Sequence, residues 1–401
     1  MTVWIVNPFD NLPPEGLRAQ RYWLMAQAFV RAGWQVVYFS ADFSHAFKRK
    51  RQTPDGRPVS SGLYDGIRLE LVPEPAYPKN ICLRRLYSHW RFARNWLRRV
   101  ARLSTPDLVV ASSPPLSVAA AARKFCRRTG AKLIVDVQDA WPETFARVAP
   151  PILLAPLKRL ARRNYLAADA ITAVSRRYLD LVRGYGATCP THLCYHGIDR
   201  GSTTTTGVPQ QVAPPPSHPS HPSHPSHPSH PLALVYAGNM SLSYDLATVI
   251  DAVKGRTDWT LDLAGKGPDE AVLRARAAGC DRIRFRGYLD ETALRTLLDA
   301  ADVGVIPMFD ASQVGIPGKL ADYAAAGLPV VNSLTGETAE LLAKYRRGVG
   351  YAAGDKVSFL AAAAAAAALG KTTDLAFFVE FDAQRLYNAY IIFVEKLFVR
   401  T

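Results

Sequence analysis

The sequence predicts an α/β protein of two doubly wound domains, each a parallel sheet covered by helices. Three observations predict it. Short apolar stretches alternate with amphipathic helical segments through both halves of the 401-residue chain, the order expected of parallel sheets. A low-complexity stretch breaks that alternation once, between residues 201 and 231. Beyond it, strand candidates repeatedly end in glycine-containing loops, at the edge where open α/β sheets bind ligands.

TVWIV (2–6) reads as the first strand, followed by the loop NPFDNLPPEGLRAQR and a helix predicted from Leu17 to Ala32, with Gly33 as its stop. That loop follows the C-terminal end of a strand, so Gly16, Arg18 and Arg21 are its candidates for ligand contact. WQVVYFS (34–40) and IRLELV (67–72) are the next strands; residues 41–66 read as a loop with a basic cluster from Lys48 to Arg51. Residues 79–103 predict a helix whose Leu83, Leu86, Trp90, Ala93, Leu97 and Val100 form one apolar stripe expected to pack inward. DLVVAS (107–112), an Ala-rich helix (116–128) stopped by Gly130, and AKLIVDV (131–137) follow. A basic helix (about 152–168), AITAVS (170–175) with Ser175 as N-cap, and THLCYHGID (191–199) complete a sheet of about seven strands. Gln138, Asp139 and Glu143 then stand at the C-terminal edge of a central strand.

The net charge of +15 is unevenly placed. Residues 1–200 hold 31 Lys and Arg against 14 Asp and Glu, whereas residues 201–401 hold 18 against 20. An anionic partner for the first half is therefore expected. Arg84, Arg85, Arg91, Arg94, Arg98, Arg99 and Arg102 crowd the helix at 79–103, and no acidic residue occurs between Pro75 and Pro106. Arginines beside Trp and Leu on a helix suit contact with an anionic membrane surface. No nucleic-acid recognition motif accompanies the charge, so no nucleic-acid partner is expected. Five scattered cysteines without a CxxC pair point to a reducing compartment with neither a disulfide framework nor a zinc site. The start of the chain lacks a signal-peptide pattern, and no run approaches the roughly 20 apolar residues of a membrane span.

Proline at every third position of the Ser-His-Pro repeat, from Ser217 to Pro231, favours an extended linker. The second half restarts with LALVYAG (232–238), a helix (about 245–254), WTLDLAG (259–265), RIRFRGYL (282–289), a helix (about 291–300) and ADVGVIPM (301–308). The strand ends present Gly238-Asn239, Gly265-Lys266-Gly267, Gly287-Tyr288-Leu289 and Ile316-Pro317-Gly318 on one edge. The last of these loops feeds a helix predicted from Lys319 to Ala326, with Gly327 as its stop, a phosphate-binding device. Lys319 is expected as a mobile cation at its mouth, and Asp322, one turn on, as an acceptor for ribose hydroxyls. Neither a Walker A loop nor a GxGxxG after the first strand is present, which argues against a P-loop ATPase or a dinucleotide enzyme. The last helix (382–398) is amphipathic.

Seven segments occur in one order: SPPLSVAAAARKFCRRTGAKLIVDVQDAWPE, ADAITAVS, YHGID, VYAGNMSLSYDLATVIDA, DLAGKGPDEAVLRA, FRGYLDETALRTLLDAADVGVIPM and PGKLADYAAAGLPVV. With them the chain resembles the family 4 (group 1) retaining glycosyltransferases of GT-B fold, especially bacterial polysaccharide enzymes acting at the inner membrane. The resemblance implies two Rossmann-like domains facing across a cleft. An acceptor-binding domain (1–200), a linker (201–231), a nucleotide-sugar-binding domain (232–380) and a helix crossing back (381–401) follow from it. It places the donor base by Gly287, Tyr288 and Leu289, the diphosphate by Gly318, Lys319 and Lys266, and the ribose by Asp322. Gly238, Asn239, Gly265 and Pro317 complete the expected donor-binding set. Gly16 and Arg18 are expected at the acceptor, near Gln138 and Asp139, and Lys319, Asp139 and Gln138 are the expected catalytic residues. The implied acceptor is a lipid-linked saccharide, and the implied place is the cytoplasmic face of the cell membrane, held peripherally. The nucleotide sugar is a substrate; no cofactor and no metal are expected, and no Asp-x-Asp motif occurs.

Two positions depart from the family pattern. Val314 stands where a first glutamate is common, and GNMSLSYD lacks the Arg and Lys that often hold the diphosphate. Two other readings stay open on the sequence: a nucleotide-sugar 2-epimerase on the same fold, and a non-catalytic relative that binds a nucleotide sugar.

Overall fold

The computed structural model describes residues 1–80, 82–147, 149–199 and 231–399. The expected linker, apart from Pro231, lies outside the described residues. The first domain contains strands β1 (Thr2–Val6), β2 (Gln35–Ala41), β3 (Phe43–Ser44), β4 (Arg49–Lys50), β5 (Gly62–Tyr64), β6 (Ile67–Val72), β7 (Leu108–Ser113), β8 (Lys132–Val137), β9 (Ala170–Ala173) and β10 (Thr191–Leu193). Its helices are α1 (Arg21–Arg31), α2 (Leu83–Val100), α3 (Leu116–Thr129), α4 (Pro151–Tyr165) and α5 (Arg176–Gly184). The main sheet runs β10-β9-β8-β7-β1-β2-β6-β5, parallel except for β5, which pairs antiparallel with β6. Residues 41–66, expected as a loop, thus supply that edge strand and a small antiparallel hairpin, β3–β4.

The second domain contains β11 (Leu232–Ala237), β12 (Trp259–Ala264), β13 (Ile283–Gly287), β14 (Val303–Ile306), β15 (Val330–Asn332) and β16 (Gly348–Gly350), in a wholly parallel sheet ordered β13-β12-β11-β14-β15-β16. Its helices are α6 (Leu246–Lys254), α7 (Glu270–Ala277), α8 (Glu291–Ala300), α9 (Lys319–Ala325), α10 (Glu337–Lys344) and α11 (Lys356–Leu369). Strand order reverses beside β1 and beside β11, and such switch points open a crevice at the carboxyl ends of the strands. The central strands are buried on both faces, which is why they read as continuous apolar runs. Side-chain caps fix several helix starts: Ser175 accepts from the Tyr178 amide, Asp290 from Ala293 and Asp382 from Arg385.

The last helix, α12 (Ala383–Lys396), crosses back to the first domain. Its Tyr387, Tyr390, Ile391 and Val394 join the cluster that holds Trp23, Met25 and Phe29 of α1. The chain therefore passes between domains twice, outward around Tyr195–Ile198 and back at Phe381–Ala383. The two passages are tied to each other: the Ile198 amide donates to the Phe381 carbonyl (2.8 Å) and the Ala383 amide to the Ile198 carbonyl (3.1 Å). A Cβ on Gly197 would stand 2.9 Å from the Ala383 Cα, so glycine permits the close approach.

Two arginines from the first loops prove to be internal. Arg21, a candidate for ligand contact in the sequence, is 3% exposed and grips Asp136 with two hydrogen bonds of 2.9 and 2.8 Å. Arg51, part of the expected surface cluster, is 2% exposed, pairs with Glu15 and donates to the Ala41 and Asp10 carbonyls. Breaking a buried pair of this kind costs about 3–5 kcal/mol, so both are matters of stability.

The apolar stripe expected on α2 is also displaced. The buried face carries Ser88, His89, Phe92, Ala93, Trp96 and Val100. Leu83, Leu86 and Trp90, expected inside, are exposed, as is Tyr87. Phe92 and Trp96 turn toward the sheet instead, and Trp96 packs edge-on against Trp4 and Phe39. Of the seven arginines, Arg84, Arg94, Arg98 and Arg102 face outward and Arg91 is half-buried. Arg99 is drawn to Glu70 at 2.7 Å, and Arg85 points into the space between the domains.

Candidate active site

The carboxyl ends of the two sheets face each other across a cleft of about 930 Å³. The second domain contributes the loop after β11 and the loop that leads into α9. Lys319 is the first residue of α9 and lines the cleft. Expected as a mobile cation at the mouth, it is instead 8% exposed, and its Nζ has no hydrogen-bond partner. The ammonium lies 4.1 Å from the ring centroid of Tyr236 and 4.1 Å from that of Tyr244. Gly238 is required beside it: with φ at +150°, a Cβ there would stand 3.1 Å from Lys319 Nζ. Burial pushes the Lys319 pKa well below its ordinary value, and Asp322 opposes that shift. The two ring faces together contribute about 1–4 kcal/mol toward the charged form, whereas burying an ammonium costs several kcal/mol. Without an anion the pocket therefore favours the neutral amine, and an anion entering the cleft would favour the ammonium.

The Leu320 and Ala321 N–H groups donate to the Pro317 and Gly318 carbonyls, and α9 runs for seven residues, ending at Ala325.

On the opposite wall, Gln138 and Asp139 follow β8 and line the same cleft. Gln138 Nε2 donates to Asp136 Oδ2 at 3.3 Å, so the buried Arg21–Asp136 pair sets its orientation. Asp139 accepts the Ala140 amide at 2.8 Å. Burial pushes its carboxyl up to about 6, against the pull of that amide, of Trp141 and of Arg85. His196, at the outward passage of the chain, also lines the cleft and is held neutral, with burial driving its pKa down to about 4.

The two domains are joined by polar contacts around this cleft. Arg18 meets Asp322 at 2.6 Å and approaches Glu291 at 3.7 Å. Glu337, the first residue of α10, accepts the Arg176 amide at 2.8 Å and the Tyr195 hydroxyl at 2.8 Å. Phe47 packs edge-on against Tyr288, with ring centroids 5.4 Å apart.

Family comparison separates the halves in the same way as the cleft. Residues 20–201 match the model described as Glycosyltransferase Family 4, and residues 232–368 match the one described as Glycosyl transferases group 1. The chain carries both domains of a family 4, group 1 glycosyltransferase. Solved structures share its whole length and its GT-B architecture. Sucrose-phosphate synthase from Thermosynechococcus elongatus aligns with a TM-score of 0.70 at 13% identity, covering 99% of each chain. Anabaena Alr3699/HepE, in complex with UDP and glucose, aligns at 0.61 and 14% identity, covering 99% of this chain and 100% of its own. The lipopolysaccharide outer core galactosyltransferase WaaB aligns at 0.60 and 13% identity, covering 98% of this chain and 100% of its own. At these identities the likeness is one of fold. No curated protein sequence matches the chain.

In this glycosyltransferase the residues singled out from the sequence divide into three groups. Gly238, Asn239, Pro317, Gly318, Lys319 and Asp322 gather on one wall of the main cleft, facing Gln138 and Asp139. Gly16 and Arg18, expected near Gln138 and Asp139, line a separate hollow of about 680 Å³ together with Tyr288 and Leu289. Gly265, Lys266 and Gly287 line neither. A Cβ on Gly265 would lie 1.9 Å from the Gly238 carbonyl oxygen, so that glycine lets two loops of the domain touch. Lys266 is exposed, and the Gly287 carbonyl accepts the Gly265 amide. Glu337 and the cleft position of Arg85 were missed. Glu337 had no local signal, since its partners lie 142 and 161 residues away. Arg85 was hidden among the six other arginines of one helix.

Proposed function

We propose that this glycosyltransferase moves a sugar from a nucleotide-sugar donor, held by the second domain, to a lipid-linked saccharide acceptor, held by the first, with retention of configuration. The observation that carries the reading is the buried Lys319 amine on the cleft wall, which has no hydrogen-bond partner among the described residues and only the charge of Asp322 to oppose its burial. A donor diphosphate would supply the missing negative charge. As the bond from the anomeric carbon to the diphosphate oxygen breaks, charge grows on that oxygen, and Lys319 stabilises it without reorganising. The acceptor oxygen bonds to the same face of the sugar, and its proton passes to the departing phosphate. Asp139 and Gln138 orient the acceptor hydroxyl from the opposite wall. The neighbour that binds UDP and glucose supports a nucleotide-sugar donor, and WaaB supports a saccharide acceptor of the cell surface.

The outward face of α2 supports a membrane-bound acceptor. Leu83, Leu86, Tyr87 and Trp90 are exposed there beside Arg84 and Arg94, and the Arg94 guanidinium lies 5.4 Å from the Trp90 ring centroid. On the strength of that exposed face of α2 the enzyme would sit peripherally on the cytoplasmic face of the membrane; among the described residues no helix is long and apolar enough to cross one.

Lys319→Ala is the direct test. Loss of one preorganised charge at a leaving group should lower kcat by roughly 10²–10³-fold while the melting temperature holds or rises. Turnover at the unmutated rate in a panel of nucleotide sugars with polyprenyl-linked saccharide would overturn the proposal.

A further inference from the structure

Arg85 lines the cleft from the first domain and makes no ion pair among the described residues; Asp139 and Glu74 act on its charge only from a distance. Its guanidinium stands over the rings of Trp141, Phe9 and Tyr77, at 5.1, 5.5 and 6.0 Å from their centroids. Both of its hydrogen bonds go to neutral groups: Nη1 to the Asn80 carbonyl at 2.6 Å and Nε to His89 Nε2 at 3.3 Å. A second cation reaches the same corner from the turn between β3 and β4. Lys48 Nζ donates to Asn80 Oδ1 at 2.5 Å and lies 3.4 Å from His45 Nδ1.

Neighbouring carboxylates are engaged elsewhere. Asp42 is held by Lys50, Glu74 accepts the Ser88 hydroxyl, and Asp139 accepts the Ala140 amide. Arg21 and Arg51 show how this domain treats a purely structural arginine: Asp136 closes the first and Glu15 the second. Arg85 has no such partner, although it is half-buried and lines the cleft beside Asn80, Asp139 and Trp141. Burial drives Lys48 down to about 8, and His45 and His89 are kept neutral at about 3 and about 2, so the histidines bring no competing positive charge.

We propose that Arg85 and Lys48 form an anion subsite on the acceptor side of the cleft, taking a phosphate group carried by the acceptor itself. A planar guanidinium fork beside a flexible ammonium suits phosphate oxygens, and the ring walls would flank the ester group. The assignment to the acceptor rests on the transferase reading above; the site itself rests on two neighbouring cations that make no ion pair among the described residues. The phosphate belongs either to a polyprenyl diphosphate or to a soluble sugar phosphate.

Inorganic pyrophosphate is the probe, and thermal melts in the Lys319→Ala background remove the donor-side cation. A pyrophosphate-induced rise in melting temperature should persist in Lys319→Ala. It should weaken at least tenfold in apparent affinity when Arg85→Gln is added. Asn80→Asp offers a gentler variant: it keeps Arg85 in place and sets a carboxylate beside Lys48, and it should weaken the response as well. If Arg85→Gln does not fold, Asn80→Asp decides. Farnesyl diphosphate and glucose 6-phosphate, titrated in competition with pyrophosphate, distinguish the two sources. No pyrophosphate response in Lys319→Ala, or one that both added substitutions leave unchanged, overturns the subsite. Failure of the donor reading would show separately, as absence of any nucleotide response in the unmutated protein.

Discussion

Single side chains decide the chemistry of this cleft, and Asp139 makes that measurable. Its carboxyl is raised from an ordinary 3.8 to about 6 by burial, so it becomes protonated as pH falls through 6. A protonated Asp139 loses its charge and accepts a hydrogen bond from an acceptor hydroxyl more weakly. The pH profile of kcat/KM should therefore bend downward below about 6, falling toward tenfold per pH unit. Stability runs the other way. Between 3.8 and 6 the folded state binds more protons than the unfolded one, so this group's contribution falls as pH rises through that window. A kcat/KM profile flat to pH 5 would remove Asp139 from the reaction. At this scale the sequence was a partial guide. It showed that Lys319 follows a glycine loop, but not that Tyr236 and Tyr244 cover it, because both rings arrive from residues some 75 to 83 positions earlier in the chain.

Elements carry the membrane proposal. Turned outward, α2 offers Leu83, Leu86, Tyr87 and Trp90 with Arg84, Arg94, Arg98 and Arg102. Each arginine near an anionic surface adds about 1 kcal/mol, so Arg94→Ser, Arg98→Ser and Arg102→Ser together should weaken binding to phosphatidylserine vesicles roughly a hundredfold in flotation. Equal flotation with neutral and anionic vesicles would place the contact elsewhere. The helix itself was legible from its periodicity, but its rotation was not. Apolar residues occupy two faces of α2, one buried by Phe92, Trp96 and Val100 and one exposed, and a 3.6-residue period fits both. Two of the glycines also have a packing role: Gly238 and Gly265 accommodate each other and Lys319.

Across the whole molecule, two mainly parallel sheets face each other across the cleft, and α12 returns to bind the first domain. The alternation of strands and helices was readable because each unit is encoded locally by its apolar period and its turns. The contacts between domains were not, because Arg18 with Asp322 and Arg176 with Glu337 join residues 304 and 161 positions apart. The Arg18–Asp322 pair also occupies the carboxylate expected to meet a ribose, so a donor bound at Asp322 would have to displace Arg18. Thermal melting with UDP, GDP and ADP, in the unmutated protein and in Lys319→Ala, tests the central claim most directly. A ligand at 100 times its Kd adds about 2.7 kcal/mol to stability, enough for a shift of several degrees. A rise with one nucleotide that Lys319→Ala abolishes is the expected result. No rise with any nucleotide, or an equal rise in Lys319→Ala, would contradict a donor diphosphate at Lys319.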